Sequence, residues 1–405
     1  MNTINFPDAI GTWLDPLQAL LDPGSCCEWH HLVALAHTLD DVAGMFQLEP
    51  ELPAGAERSR RLLAIRAELS RRGVLDTTAR SALFTVLAQF VCGYHDIDLR
   101  DAVGLGHGAL IARHGGAAAR ERWVPHLLAG QLAGIAITEP HGGSTPAATR
   151  TTARKAADGT WLVTGRKTWI SRLTEAAVLV VFFRAPDGTL AAAAVDATAP
   201  GLHRRPIPPS GLAGWSWGIL DLNGVEVRPD DVLHGDGMTL LRNHFARYRP
   251  LVTATAIGGA AAVFDAVTAA LAARQAAGDV TRLRDSALVT LGRTHAQLVT
   301  ALLGAAAAGR LTEAGHPDAE WWAAVTKAHG IDLANQAAAD LVLLLGAVGF
   351  CADSQVAKTR RDLNGLLYAD GIHESLYRAA GKQHATRPST AASVRALEPL
   401  LPRSA

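Results

Sequence analysis

A chain of 405 residues is long enough to bury a sizeable core and to divide into two or three domains. Lys plus Arg and Asp plus Glu number 38 each, so the formal net charge is zero and no basic field exists to bind nucleic acid or an anionic lipid surface; neither is expected as a partner. No run of about eighteen apolar residues is uninterrupted, and Met1 to Pro16 carries acids rather than a basic segment leading into an apolar one, so the chain reads as cytoplasmic with no membrane span.

From about Asp8 to Ala133 the pattern is helical. Arg58 to Arg72 repeats apolar residues at three and four, and Thr77 to Val91 is a strongly apolar amphipathic stretch. From Gly134 to about Gly235 the texture changes to short apolar runs broken by turns. Trp161 to Val163, Ala177 to Phe183, Leu190 to Val195 and Ile219 to Val227 read as strands, and Asp158-Gly159 and Asp187-Gly188 as hairpin turns. From Asn243 to Leu376 long Ala- and Leu-rich helices return, with clear breaks at 276–279 and 315–318. The small residues of Ala254 to Ala262 permit close helix packing. The segment after His384, with Pro388, Pro399 and Pro402, is expected to be partly disordered. The division that follows is a helical domain (1–133), a β domain (134–235), a helical bundle (236–385) and a tail (386–405).

Cys26, Cys27, Cys92 and Cys351 have no CxxC spacing, which argues against a metal site or a disulfide framework, and no metal is expected. Gly104, Gly106 and Gly108 around His107 lack the strand-loop-helix setting of a dinucleotide site.

Three segments carry more specific chemistry. Ile137-Thr138-Glu139-Pro140-His141-Gly142-Gly143-Ser144 offers backbone N–H groups and a hydroxyl at a turn. Gly165-Arg166-Lys167-Thr168-Trp169-Ile170-Ser171 follows a strand and offers a broad flat indole beside a hydroxyl. Arg361-Asp362 is followed, after seven residues, by Asp370-Gly371. Together with Arg249-Pro250, Gly258, Asp265 and Arg274, whose spacing continues without a gap, these segments resemble the acyl-CoA dehydrogenase family over roughly Ala82 to Gln383.

The resemblance implies an α+β, mainly α fold: a helical N-terminal domain, a central β domain and a C-terminal four-helix bundle. It implies bound FAD, with Ile137, Thr138, Trp169, Ser171 and Gly371 at the flavin and Arg274 clamping the cofactor diphosphate across a subunit interface. A homodimer or homotetramer follows from that clamp. It also implies an acyl thioester substrate, on CoA or a carrier protein, approached by Ser144 and Arg249. Asp370 would be the base that takes the proton beside the thioester carbonyl while a hydride leaves for flavin N5. Electrons would pass to an electron-transfer flavoprotein or to O₂.

The chain departs from the family pattern in several places. Asp370 stands where Glu is usual, and is shorter by one methylene. Thr145, Ala277, Leu343 and Ile372 replace residues near the substrate and the adenine half of FAD, and the relatives' alternative base position holds Tyr248. These departures suit a specialised thioester oxidation in secondary metabolism, such as antibiotic biosynthesis. They leave open a flavin monooxygenase of the same fold acting on an amine, which needs no base at Asp370, and a binding protein that has lost FAD. A cap for a following helix, with Glu374 at capping-box spacing, is a second reading of Asp370. His95, Asp96 and Asp98 would line a substrate tunnel, and His373 and Glu374 would be solvated.

Overall fold

The computed structural model describes residues 9–22, 28–49, 55–143 and 145–386. Cys26, Cys27, Ser144 and the proline-bearing tail beyond Thr386 lie outside the described residues. The N-terminal helices are α1 (Gln18–Leu21), α2 (Glu28–Met45), α3 (Ala56–Arg71), α4 (Ala82–His95), α5 (Ala109–His114) and α6 (Ala117–Leu128). Helix α4 starts later than the apolar pattern because Ser81 caps it, its Oγ accepting the Phe84 N–H at 3.1 Å.

Seven strands follow: β1 (Leu132–Ala136), β2 (Thr152–Lys155), β3 (Trp161–Ser171), β4 (Ala176–Arg184), β5 (Leu190–Asp196), β6 (Leu202–Ile207) and β7 (Trp217–Val227). They form one sheet in the order β1-β4-β2-β3-β7-β6, with β5 pairing β4. Alternation along β4 serves two cores: Leu179, Val181 and Phe183 face one cluster, and Val178, Val180 and Phe182 face the cluster under α5 and α6. Strand β6 escapes the sequence pattern because it is an edge strand, largely exposed, with Pro206 in it.

The C-terminal helices are α7 (Gly237–Ala276), α8 (Asp285–Glu313), α9 (Ala319–Val342), α10 (Gln355–Leu366) and α11 (His373–Thr386). Pro250 sits inside α7 and cannot donate to the carbonyl of Ala246. Thr312 Oγ1 supplies that bond instead at 3.1 Å, so the helix continues through the proline. Helices α4 and α7 touch backbone to backbone. A Cβ at Gly93 would lie 2.0 Å from the Thr255 carbonyl oxygen, and one at Gly258 would lie 2.1 Å from that of Phe90. One apolar cluster consequently runs from Ile10 through α4 to α7, α8 and α9, so the N- and C-terminal helices share a core. By length and composition α7 and the stretch Ala319–Phe350 could each cross a membrane. The most apolar part of α7 is 67% buried, and packing against its neighbours accounts for its composition.

Candidate active site

Between the β3 end of the sheet, the 208–212 loop, α7 and the turn joining α10 to α11 lies a cavity of about 1220 Å³. Ile137, Thr138, Trp169, Ser171, Arg249, Asp370 and Gly371, singled out from sequence as site residues, all line it.

The first wall is built by a strand irregularity. The β3–β7 register shifts between Lys167 and Ile170, and within that bulge Trp169 takes a left-handed φ of 59°. A bulky residue at such a φ is strained. The consequence is that its indole turns out of the sheet and stands 60% exposed on the cavity wall. The bulge is pinned to the other motif: Thr168 N–H donates to Thr138 O at 2.8 Å, and the buried Lys167 ammonium donates to Ile137 O at 3.1 Å and to Glu139 Oε1 at 2.8 Å. Burial alone would raise the Glu139 carboxyl, but Lys167, Thr151 and the N–H groups of Arg150 and Thr151 carry it down to about 2. Glu139 is therefore an ionised buried fastener between the two motifs.

The second wall is the turn before α11. Asp370 has φ 57° and Gly371 φ 111°, and a Cβ on Gly371 would approach Leu376 Cδ2 to 3.0 Å. The turn is held from two sides. Arg249 Nε donates to Asp370 O at 3.1 Å, and Lys327 Nζ donates to Gly371 O at 2.8 Å and to Leu366 O at 3.1 Å. Lys327 is a fully buried lysine in α9, pushed down to about 7 by burial. Burial pushes the Asp370 carboxyl up, while Lys327, Arg100 and Arg172 pull against that rise. Helix α11 begins three residues after Asp370, at His373, so Asp370 stands outside the capping position and the helix-cap reading does not hold.

Beneath these walls lies a buried polar layer. Arg172 pairs with Asp101, whose carboxylate accepts from Tyr248 Oη at 3.0 Å and 3.2 Å. His107 Nδ1 is 3.0 Å from His244 Nε2. Burial holds both imidazoles well below the usual histidine range, and cations around them, Arg172 and Arg100 at His107 and Arg113 at His244, add to it. Arg100 lies with its guanidinium 5.4 Å over the Trp217 ring. Sequence reading missed Arg100, Arg172, Trp217 and Lys327 as site residues. The signal for Lys327 was present: it shares the buried helical face with Ala323, Ala324, Ala328 and Ile331, where a lone cation needs a reason.

Other expectations land elsewhere. Arg274 does not line the cavity; its Nη2 donates to Leu345 O at 2.8 Å, beside the exposed Leu343, Val348 and Phe350. The Ser144 expectation falls on a residue outside the described set. Asp96 and Asp98 line no tunnel, being locked with Asp362 in a buried network with Arg58 and Lys358. Lys358 Nζ lies 2.6 Å from both Asp96 Oδ1 and Asp362 Oδ2. These three carboxylates are spaced as a metal site would be, but Arg58 and Lys358 already bond to them. His373 is buried rather than solvated, with Nδ1 2.7 Å from Asp332 Oδ1.

The family pattern described as acyl-CoA dehydrogenase, middle domain, matches residues 134–225, and that of the acyl-CoA dehydrogenase C-terminal domain matches residues 235–384. A probable short/branched chain specific acyl-CoA dehydrogenase of Dictyostelium discoideum is 27% identical over 259 residues, or 62% of this chain and 62% of that protein, so the match spans less than two thirds of the relative. A glutaryl-CoA dehydrogenase from Mycobacterium smegmatis, solved in complex with FADH2, superposes with a TM-score of 0.75 at 22% identity, covering 91% of this chain and 96% of that one. The prolyl acyl carrier protein oxidase AnaB shares the fold at a TM-score of 0.75 and 17% identity, over 88% of this chain and 98% of that one. With the two patterns together matching most of residues 134–384, and the order of helices, sheet and helices shared throughout, this chain belongs to the acyl-CoA dehydrogenase family.

Proposed function

We propose that the protein is an FAD-dependent oxidoreductase that removes hydrogen across the α and β carbons of an acyl thioester, carried on CoA or on the same pantetheine arm of a carrier protein. The observation that carries this reading is Asp370, a carboxylate with a raised pKa, facing the same cavity as the indole of Trp169. FAD fits the residues present. Trp169 offers a broad exposed face for a planar ring, Thr138 and Ser171 offer hydroxyls beside it, and the cavity, at about 1220 Å³, has room for flavin and acyl group together. Arg274 would reach the cofactor of a second copy. When bound, FAD supplies the two-electron acceptor for the hydride leaving the β carbon, to be re-oxidised by an electron-transfer flavoprotein or O₂. The cytoplasmic setting and a place in secondary metabolism belong to this proposal and rest on the composition and on the motif departures.

Asp370 accepts the α proton. Burial favours its protonated form and so raises its basicity, while Lys327 and the arginines keep part of the population ionised and ready to accept. Its reach is about 1.5 Å less than a glutamate's, and errors of that size cost about a hundredfold unless the pocket compensates. Arg249 and Lys327 fix the backbone of the turn so that the short side chain keeps one position. Leu212, Trp217, Leu376 and Ala380 exclude water from the reacting carbons.

Replacing Asp370 by Asn keeps size and removes the proton acceptor. Flavin bleaching by the true thioester should fall by about 10²–10⁴-fold with flavin content unchanged. Bleaching within about tenfold of wild type would overturn the role of Asp370 and favour oxygenation of an amine, which needs no base there.

A further inference from the structure

The floor of the cavity holds more positive charge than its carboxylates offset. Arg100, Arg172, Arg242 and Arg249 line it against Asp370 and Glu320, with Arg66, Lys327 and Asp101 buried close by. Arg66, Arg249 and Lys327 are satisfied by the protein. Arg66 donates to the carbonyls of Asp101, Gly104, Leu127 and Gln131. Arg172 pairs with Asp101 and donates to Ser171 Oγ, and Arg249 and Lys327 hold the Asp370–Gly371 turn. Arg100 is different. It is 6% exposed and lines the cavity, yet its Nε and Nη2 are buried without a hydrogen-bond partner, and its guanidinium lies over the face of Trp217. Unmet donors on a buried guanidinium are costly, and the fork of an arginine matches a carboxylate with two parallel bonds.

We propose that Arg100 is the centre of an anion subsite that selects an acyl group bearing a carboxylate beyond the carbons being oxidised. The inference rests on the thioester reading above and names its substrate class. Position decides which anion the subsite takes. Arg100 and Asp370 line the same cavity and each charge acts on the other, so the subsite shares the cavity with the base. The phosphates of CoA or of a carrier arm are a full pantetheine length away from the thioester and cannot reach there. Arg172, whose Nε also has no partner, adds to the same field, and Tyr248 Oη closes the layer against Asp101. A carboxylate arriving there leaves water for charge-assisted bonds, whereas a neutral acyl group of equal length leaves the Arg100 donors unmet. Neutral acyl groups are therefore disfavoured by the pocket as well as less attracted to it.

The test uses pantetheine thioesters, whose arm is uncharged, so that the acyl carboxylate is the only anion. Binding of succinyl- and glutaryl-pantetheine to the FAD-reconstituted protein is compared by calorimetry with that of butyryl- and valeryl-pantetheine. At least one dicarboxylic member should bind about tenfold or more tightly than its matched neutral partner, the range expected for a charge-assisted hydrogen bond. In Arg100→Gln that ratio should collapse toward one, and in Arg100→Lys, which keeps the charge without the fork, part of it should survive. Equal or tighter binding of the neutral thioesters by the wild-type protein, or an undiminished ratio in Arg100→Gln, would overturn the subsite. If Arg100→Gln fails to fold, the wild-type comparison and Arg100→Lys still decide. Preferential binding of the dicarboxylic thioesters with no flavin bleaching by any of them would sink the dehydrogenation reading and leave the subsite standing.

Discussion

Lys167 and Glu139 form a buried ion pair at 2.8 Å that fastens the two cavity-wall motifs to each other, although they are almost thirty residues apart in the chain. Each lies within two residues of a side chain that faces the cavity, Thr138 or Trp169, and the neighbouring Thr168 N–H to Thr138 O bond runs parallel to it. The pair thus sets where the indole stands relative to the Thr138 hydroxyl.

Removing the lysine takes the bonded cation from a buried carboxylate that then keeps only the donors of Arg150 and Thr151, so Lys167→Met should cost about 3–5 kcal/mol in denaturant unfolding. A loss under about 1 kcal/mol would show that the pair is not the fastener. The pH dependence has a definite sign. Glu139 is held near 2 against an ordinary value of 4.5, so its contribution is complete above about 4.5 and is lost as pH falls toward 2. Glu139→Gln should be less stable at neutral pH and should show a shallower acid slope across that window.

Trp169 is strained in backbone and largely exposed, so its presence is not explained by stability. Trp169→Gly relieves a left-handed conformation worth about 1–2 kcal/mol, which offsets much of the burial lost from an indole that is 60% exposed. The melting temperature should change little, while flavin is lost on gel filtration. Retention of FAD at the wild-type level would argue against the indole as a face for the ring.

Lys327 joins Asp370 to the pH profile of the reaction. It is one of the cations that oppose the burial-driven rise of the Asp370 carboxyl, so Lys327→Met should raise that pKa further and move the ascending limb of flavin bleaching to higher pH. A purely structural lysine would lower the rate without moving the limb. In stability the sign is opposite to that of Glu139. Lys327 is depressed to about 7 from 10.5, so its burial cost is full below pH 7 and is relieved as pH rises toward 10.5. The Met variant should lack that rise.

Leu343, Val348 and Phe350 expose 76%, 63% and 96% of their surface in one short segment, and Arg274 is bonded to its Leu345 carbonyl. Apolar exposure on that scale is expected of a surface that a second copy covers. Light scattering should report a dimer or larger assembly, and Phe350→Asp should shift it toward monomer with loss of flavin. A monomeric Phe350→Asp protein that binds FAD with unchanged affinity would refute the idea that Arg274 reaches a neighbour's cofactor.

The sequence by itself determined the order of helices, sheet and helices, because hydrophobic period and turn residues are local: Asp158-Gly159 and Asp187-Gly188 mark the β2–β3 and β4–β5 turns. It also named several of the residues that line the cavity, since Thr138, Trp169, Ser171, Asp370 and Gly371 sit in short segments of recognisable spacing. It misjudged the charged residues. Asp96, Asp98 and Asp362 read as tunnel or motif residues, and became a buried ion-pair network only when α3 and α10 brought Arg58 and Lys358 against them. Arg100 and Lys327 read as ordinary basic residues for the converse reason. Whether a charge is solvated, paired or stranded depends on what other elements place around it, and the desolvation that gives such a group its chemistry exists only once the chain has closed over it.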